Sequence, residues 1–176
     1  MTRYVAFLRG INVSGQKLIK MEDLRTYMAM PGITNVATYI QSGNVLFTSD
    51  EVDEDILRKR IETQLEQKLG YKVLAIIRMI RELQSVARNM PFDTIKTEEK
   101  NRLYVTFLAD VPAMDAQGIM GIYSNDAEYA RIVHKEVYVY SPNYGKTCFF
   151  NTFIEKKLGM QATTRNWATV NKLLDL

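Results

Sequence analysis

The sequence predicts an α+β fold of two tandem β-α-β-β-α-β blocks, and three observations carry that expectation. Short apolar runs of strand length alternate with stretches whose apolar residues recur at helical spacing, in the same order twice along the chain. In the first half, Gln41-Ser42-Gly43-Asn44 joins two β-rich segments with the glycine and asparagine that a tight hairpin turn requires. Between the halves lies a polar stretch, Asp93–Asn101, with few apolar anchors, which reads as a linker or long exposed loop.

The elements follow in order. Tyr4–Leu8 is almost wholly apolar and ends at Arg9-Gly10, as a buried strand does. Met21, Leu24 and Met28 share a helical face within Met21–Met30, which stops at Pro31-Gly32. Asn35–Gln41 and Val45–Thr48 are the two arms of the hairpin. Ser49-Asp50 is placed to cap the next helix, with Glu51, Asp53, Glu54 and Asp55 against its positive end. Leu57, Ile61, Leu65 and Leu69 mark its buried face, and Gly70 suits its left-handed stop. Tyr71–Ile77 is the closing strand, which completes the split βαβ order of a ferredoxin-like unit.

Ile80, Leu83, Val86, Ala87 and Met90 then describe a connecting helix that ends before Pro91-Phe92. The second half repeats the plan with strand Arg102–Leu108, a short helix Pro112–Ile122 containing two glycines, and a hairpin of Asp126–Val133 and Glu136–Tyr140 turning at His134-Lys135. Thr147–Leu158 is the next helix, with Gly159 as its stop, and Gln161–Thr164 the last strand. A closing helix carries Trp167, Val170 and Leu174. The expected division is residues 1–78 and 102–176 as the two units, with the helix and loop of 79–101 between them. No repeat of individual residues accompanies the repeat of elements. The competing architecture is one mixed sheet shared by both halves, because each half is near the lower size limit for an independent core.

Composition narrows the function classes. At 176 residues, 47% hydrophobic and 24% charged, the chain has the make-up of an ordinary globular protein. Its net charge of +3 permits phosphate-bearing partners but lacks the concentrated basic surface of nucleic-acid binders. The single cysteine, Cys148, excludes an intramolecular disulfide, and His134 is the single histidine, so neither a metal site nor a Cys-His or Ser-His-Asp catalytic set is expected. No stretch reads as a signal peptide or a membrane span, and a cytoplasmic location is expected. No cofactor is indicated.

Three stretches carry the chemistry-bearing residues. In Leu8–Lys17, Gly10 and Gly15 have the spacing of a P-loop, but Gln16-Lys17-Leu18 stands where Lys-Ser/Thr is needed. What remains is a looser anion-binding loop of backbone amides, Arg9 and lysines, or a glycine-shaped connection whose Arg9 pairs with an acidic neighbour. Gly145-Lys146-Thr147 follows a strand and reads either as an anion seat or as an N-cap with a solvated lysine, while Tyr140 occupies the place of the first P-loop glycine. At Thr163–Trp167, Asn166 is a suitable N-cap and Trp167 a core residue, whereas the guanidinium of Arg165 suits a bidentate anion contact. Strand aromatics raise an RNA-recognition reading, but no strand contains the RNP1 pattern.

Leu8-Arg9-Gly10-Ile11-Asn12-Val13-x-Gly15, Thr38–Val45 and Thr164-Arg165-Asn166-Trp167-x-Thr169-Val170 resemble the three signature stretches of the bacterial domain-of-unknown-function 1697 family. The chain departs from the family pattern at Ser14, where glycine is usual, and at Ala168, where asparagine is usual. The resemblance implies a small bacterial cytosolic protein with tandem α+β subdomains, and it supplies no reaction and no catalytic residue.

The functional expectation is a small phosphate- or carboxylate-bearing ligand held in a polar cleft between the units. Arg9, Lys146 and Arg165 would supply charge, and Asn12, Gln41, Ser42, Asn44 and Asn166 hydrogen bonds. The competing class is a non-catalytic protein–protein or RNA interaction module that uses an open sheet face. Whether a reaction occurs is not written in the sequence.

Overall fold

The computed structural model describes residues 1–13, 15–92, 95 and 97–176, with two compact units, Met1–Glu82 and Leu83–Leu176. The first contains β1 (Thr2–Arg9), α1 (Met21–Met28), β2 (Ile33–Tyr39), β3 (Asn44–Ser49), α2 (Glu54–Leu69) and β4 (Leu74–Met79). Its four strands lie in the order β2-β3-β1-β4 with every neighbouring pair antiparallel, the ferredoxin-like arrangement expected from the element order.

The pleat of β1 sends Tyr4, Ala6 and Leu8 to the helix-bearing face, together with Val45 and Phe47 of β3 and Ala75 and Ile77 of β4. Leu24 and Met28 of α1 and Leu57, Ile61 and Leu65 of α2 close over them. Each such side chain contributes about 1.5–3 kcal/mol when fully buried. Val5, Phe7, Leu46 and Ile76, on the second face, are buried as well. That double burial explains why β1 reads as a continuous apolar run rather than an alternating one.

Local chemistry moved one helix start. Asp53, not Ser49 or Asp50, caps α2, its Oδ1 accepting from the amides of Asp55 at 2.9 Å and Ile56 at 3.0 Å. Ser49 is spent elsewhere: its hydroxyl donates to the Gly32 carbonyl at 2.7 Å and accepts from the Glu51 amide at 3.1 Å. Gly70 closes α2 in the left-handed region, as expected.

α3 (Ile80–Arg88) begins in the first unit and ends in the second. Of the expected linker, residues 93, 94 and 96 lie outside the described residues, and Thr97–Arg102 forms a 3-10 helix. Then come β5 (Leu103–Leu108), α4 (Ala116–Ile122), β6 (Tyr129–Val133), β7 (Glu136–Tyr140), a 3-10 turn at Tyr144–Lys146, α5 (Asn151–Leu158), β8 (Ala162–Asn166) and α6 (Trp167–Leu174). The sheet order β6-β7-β5-β8 repeats that of the first unit, again fully antiparallel. The described residues form two four-stranded sheets, so the shared-sheet alternative does not hold.

On the helix-bearing face of the second sheet, Leu108, Val137, Val139 and Ala162 pack with Met120, Phe149 and Ile154. On the opposite face Val105, Phe107 and Tyr138 are buried, and the Tyr138 hydroxyl donates to the carbonyl of Val86 at 2.9 Å. His134 takes φ 59° in the β6–β7 turn, as a turn residue there must. α5 begins at Asn151 rather than Thr147, because the Thr147 hydroxyl accepts from the Phe149 amide at 3.0 Å and holds the preceding segment extended.

Candidate functional site

At the exit of β1 two of the sequence-selected stretches meet. The Leu8 amide donates to the Gly43 carbonyl at 2.8 Å, tying the strand end to the hairpin turn. Asn12 then clamps both segments with one carboxamide. Its Oδ1 accepts from the Ile19 amide at 2.8 Å, and its Nδ2 donates to the carbonyls of Ile19 at 3.0 Å and Gln41 at 2.9 Å. Gly43 has φ 75°, and a Cβ there would lie 2.9 Å from Leu8 Cβ and from Ile11 Cδ1, so the approach of loop to turn requires glycine.

Asn44 is fully buried and donates to the Tyr39 carbonyl at 3.1 Å and the Ser42 hydroxyl at 2.9 Å. Gln41 and Ser42 are exposed, and Arg9 is half-buried. Register places Arg9 opposite Leu74 and Asn44 opposite Phe7, so Arg9, Phe7 and Asn44 all belong to the second face of the sheet. Beyond Arg9 the chain makes a small hairpin, with the Asn12 amide on Lys17 O at 3.2 Å and the Gln16 amide on Val13 O at 2.9 Å. The Lys17 ammonium turns away from this hairpin to the Lys72 carbonyl at 3.1 Å and lies 5.2 Å over the Tyr71 ring.

Backbone conformation is concentrated here. Of the eleven left-handed residues among those described, Gly10, Asn12, Gly15, Lys17, Ile40 and Gly43 lie in these two abutting segments. Ile40 is the sharpest case. It is β-branched, 49% exposed and at φ 50°, a conformation that costs on the order of 1–3 kcal/mol with little burial to offset it.

The second unit arranges its candidates differently. The Tyr144 ring stacks on Tyr104 at 4.0 Å, placing the Tyr144–Lys146 turn on the helix-bearing face, where Lys146 is exposed. Burial raises the Tyr144 phenol's pKa, partly offset by its hydrogen bond with Thr164. Thr164 also shares a 2.8 Å hydroxyl contact with Thr106 and donates to Asn151 Oδ1 at 3.2 Å. Arg165, one residue along β8, therefore projects to the other face. It is 8% exposed, and its Nη1 donates to Thr163 Oγ1 and to the Thr164 carbonyl, each at 2.9 Å. Burial lowers its pKa to about 10. Asn166 caps α6 by accepting the Thr169 amide at 2.7 Å. Lys146 and Arg165 thus lie on opposite faces of their sheet, whereas Arg9, Asn12, Gln41, Ser42 and Asn44 gather at one end of theirs.

A carboxylate not selected from sequence organises another corner of the second unit. Glu128 accepts from the Ser141 hydroxyl at 2.6 Å, the Cys148 amide at 3.1 Å and the Cys148 thiol at 3.2 Å. Burial works to raise its pKa, but these bonds and one from Thr147 outweigh it and leave the pKa below the ordinary 4.5. Burial, then the hydrogen bond and charge of Glu128, push the Cys148 thiol up to about 11, which makes it a poor nucleophile at neutral pH. No sequence signal links residues twenty positions apart across a hairpin. Elsewhere in this unit a cavity of about 660 Å³ is lined by Pro91, Phe92, Gln117, Ser124 and Tyr129 among others, and by none of the eight candidates.

Among the described residues no group of three or more His, Cys, Asp or Glu is placed to hold a metal, and no helix is long and apolar enough to cross a membrane.

The model of a family described as proteins of unknown function, DUF1697, matches residues 1–138. The chain belongs to the DUF1697 family. The matched residues include the opening loop and the Thr38–Val45 stretch, while Thr164–Val170 lies beyond them. In fold this DUF1697 chain is similar to the conserved bacterial protein SP0830 from Streptococcus pneumoniae, with a TM-score of 0.73, 21% identity, and 99% of this chain and 97% of that one covered. No curated protein gives a significant match.

Proposed function

We propose that the protein binds a small anionic ligand, bearing phosphate or carboxylate, where the Arg9–Lys17 loop abuts the Ile40–Asn44 turn. The observation that carries this reading is the cluster of left-handed backbone in two segments locked together by Asn12, ending in an exposed, β-branched Ile40. Costly backbone persists where the surrounding structure holds it for use, and successive amides in such conformations form concave anion seats. Arg9 adds a guanidinium suited to bidentate contact, and the exposed Gln41 and Ser42 orient the ligand. Asn12 and Asn44 act as the frame. In the second unit Lys146 offers an exposed cation of the same chemistry, whereas the buried Arg165 and the cap Asn166 receive no ligand contact in this proposal.

The reading assigns binding and no reaction. Residues on the second face of each sheet, Val5, Phe7, Leu46 and Ile76 in one and Val105, Phe107 and Tyr138 in the other, are buried, which weighs against a module that works through an open sheet face.

Thermal-shift assays with inorganic phosphate, a phosphate monoester and a dicarboxylate test the proposal. A melting temperature that rises with ligand concentration, and a response abolished in Arg9→Ala but kept in Arg131→Ala, is the expected result. Equal responses in both variants, or none in the wild type, would count against it.

A further inference from the structure

An edge strand presents a row of amides and carbonyls to any chain able to pair with it, and two open sheets have four such edges. On β4 and β8, outward groups are met by the chain's own side chains, in a pattern that recurs between the units. On β4 the Ala75 amide donates to Glu62 Oε1 of α2 at 2.9 Å, and the Ile77 carbonyl accepts from Arg78 Nη1 at 2.9 Å. On β8, the equivalent strand, the Ala162 amide donates to Glu155 Oε1 of α5 at 2.9 Å, and the Thr164 carbonyl accepts from Arg165 Nη1 at 2.9 Å. Asn151 of the same helix donates to the Ala162 carbonyl at 3.0 Å.

The two strands therefore read Ala75-Ile76-Ile77-Arg78 and Ala162-Thr163-Thr164-Arg165, with corresponding residues in corresponding roles. Both arginines are buried, at 2% and 8% exposure. This is a residue-level repeat that the sequence does not display, because the two glutamates stand at different distances from their alanines.

The other two edges are closed by other means. β2 carries a register shift between Thr34 and Ala37, with Asn35 at φ 52°, which breaks the ladder. On β6, Gln117 of α4 accepts from the Ile132 amide at 2.7 Å and donates to the Ala130 carbonyl at 3.4 Å. Ser124 Oγ accepts the Ala130 amide at 3.2 Å, and the Asn125 amide donates to the Glu128 carbonyl at 2.8 Å. One carboxamide thus supplies the donor and acceptor that a neighbouring strand would use.

We propose that this is an edge-closing device duplicated with the fold, and that Gln117 is its counterpart on β6, together barring strand addition by a second copy of the chain. In this account Arg165 is an edge-closing residue rather than a ligand contact.

Gln117 is exposed, so its replacement leaves the core intact. Residue-resolved amide exchange by NMR, with light-scattering mass across a concentration series, is measured on the wild type, Gln117→Ala and Gln117→Glu. The wild type is expected to remain monomeric with the Ile132 amide protected. Gln117→Ala should exchange Ile132 roughly five- to tenfold faster, the worth of one net hydrogen bond, and form dimers as concentration rises. Gln117→Glu retains the acceptor and should keep the protection. Unchanged Ile132 exchange in Gln117→Ala, or a wild type that dimerises with rising protection at Ile132, would overturn the proposal. If Gln117→Ala failed to fold, the wild type and Gln117→Glu would decide: a constant monomeric mass with Ile132 protected in both supports the proposal, and dimerisation of the wild type with rising protection at Ile132 overturns it.

Discussion

Asn12 holds the opening loop to its own far end and to the hairpin turn with three hydrogen bonds from one side chain. Removing them in Asn12→Ala should cost roughly 1.5–4.5 kcal/mol in urea denaturation, from about 0.5–1.5 per bond. Asn12→Asp should fall close behind, because a carboxylate cannot donate to the carbonyls of Ile19 and Gln41. Gly43→Ala combines a left-handed φ with a 2.9 Å overlap and should lose more than 1 kcal/mol in the same assay. Glu128 yields a prediction about pH. Its folded pKa is depressed, so its stabilisation is complete above the ordinary carboxylate value and is lost as pH falls through the lower folded one. The urea midpoint of wild type should accordingly exceed that of Glu128→Gln near neutrality, with the gap closing under acid. Burial, and then the same carboxylate, holds the Cys148 thiol protonated. Iodoacetamide should label it slowly at pH 7.5 and faster in Glu128→Gln, and equal rates would remove Glu128 as the cause.

The elements were legible because their periodicities are long and clean. Leu57, Ile61 and Leu65 declare α2, the unbroken apolar run of β1 declares a strand buried on both faces, and Gly43-Asn44 declares a hairpin. Their starts were less legible because several residues compete for one capping role. Ser49, Asp50 and Asp53 all suit an N-cap, and only the finished hairpin, which engages Ser49 with Gly32, leaves the task to Asp53. Asp53→Ala should cost about 1 kcal/mol, whereas Asp50→Ala, which loses an exposed contact to the terminal ammonium, should cost little. Thermal melts of the two variants would separate them. α5 has no side-chain cap at all, so no residue could announce where it begins.

Across the molecule, element order sufficed to predict the duplicated ferredoxin-like plan, because antiparallel hairpins and crossing helices allow few ways to close four strands. The grouping of the candidate residues was legible only in part. Arg9, Asn12, Gln41, Ser42 and Asn44 come together because β1 and β3 are neighbours, which the hairpin order already implies. Lys146 and Arg165 separate because the Tyr144–Tyr104 stack holds the Lys146 turn on the helix-bearing face, while register with β5 turns Arg165 to the other. The duplicated alanine–arginine strands and their glutamates were invisible for a similar reason: their partnership exists across space, not along the chain.

The central claim is that the paired loops at the end of the first sheet seat an anion, and phosphate titration followed by NMR tests it most directly. The account predicts saturable shifts centred on the amides of Gly10–Lys17 and Ile40–Asn44, which Arg9→Ala weakens at least tenfold. Saturable shifts centred elsewhere in the chain, or amides in these loops that stay unmoved at millimolar phosphate, would contradict it.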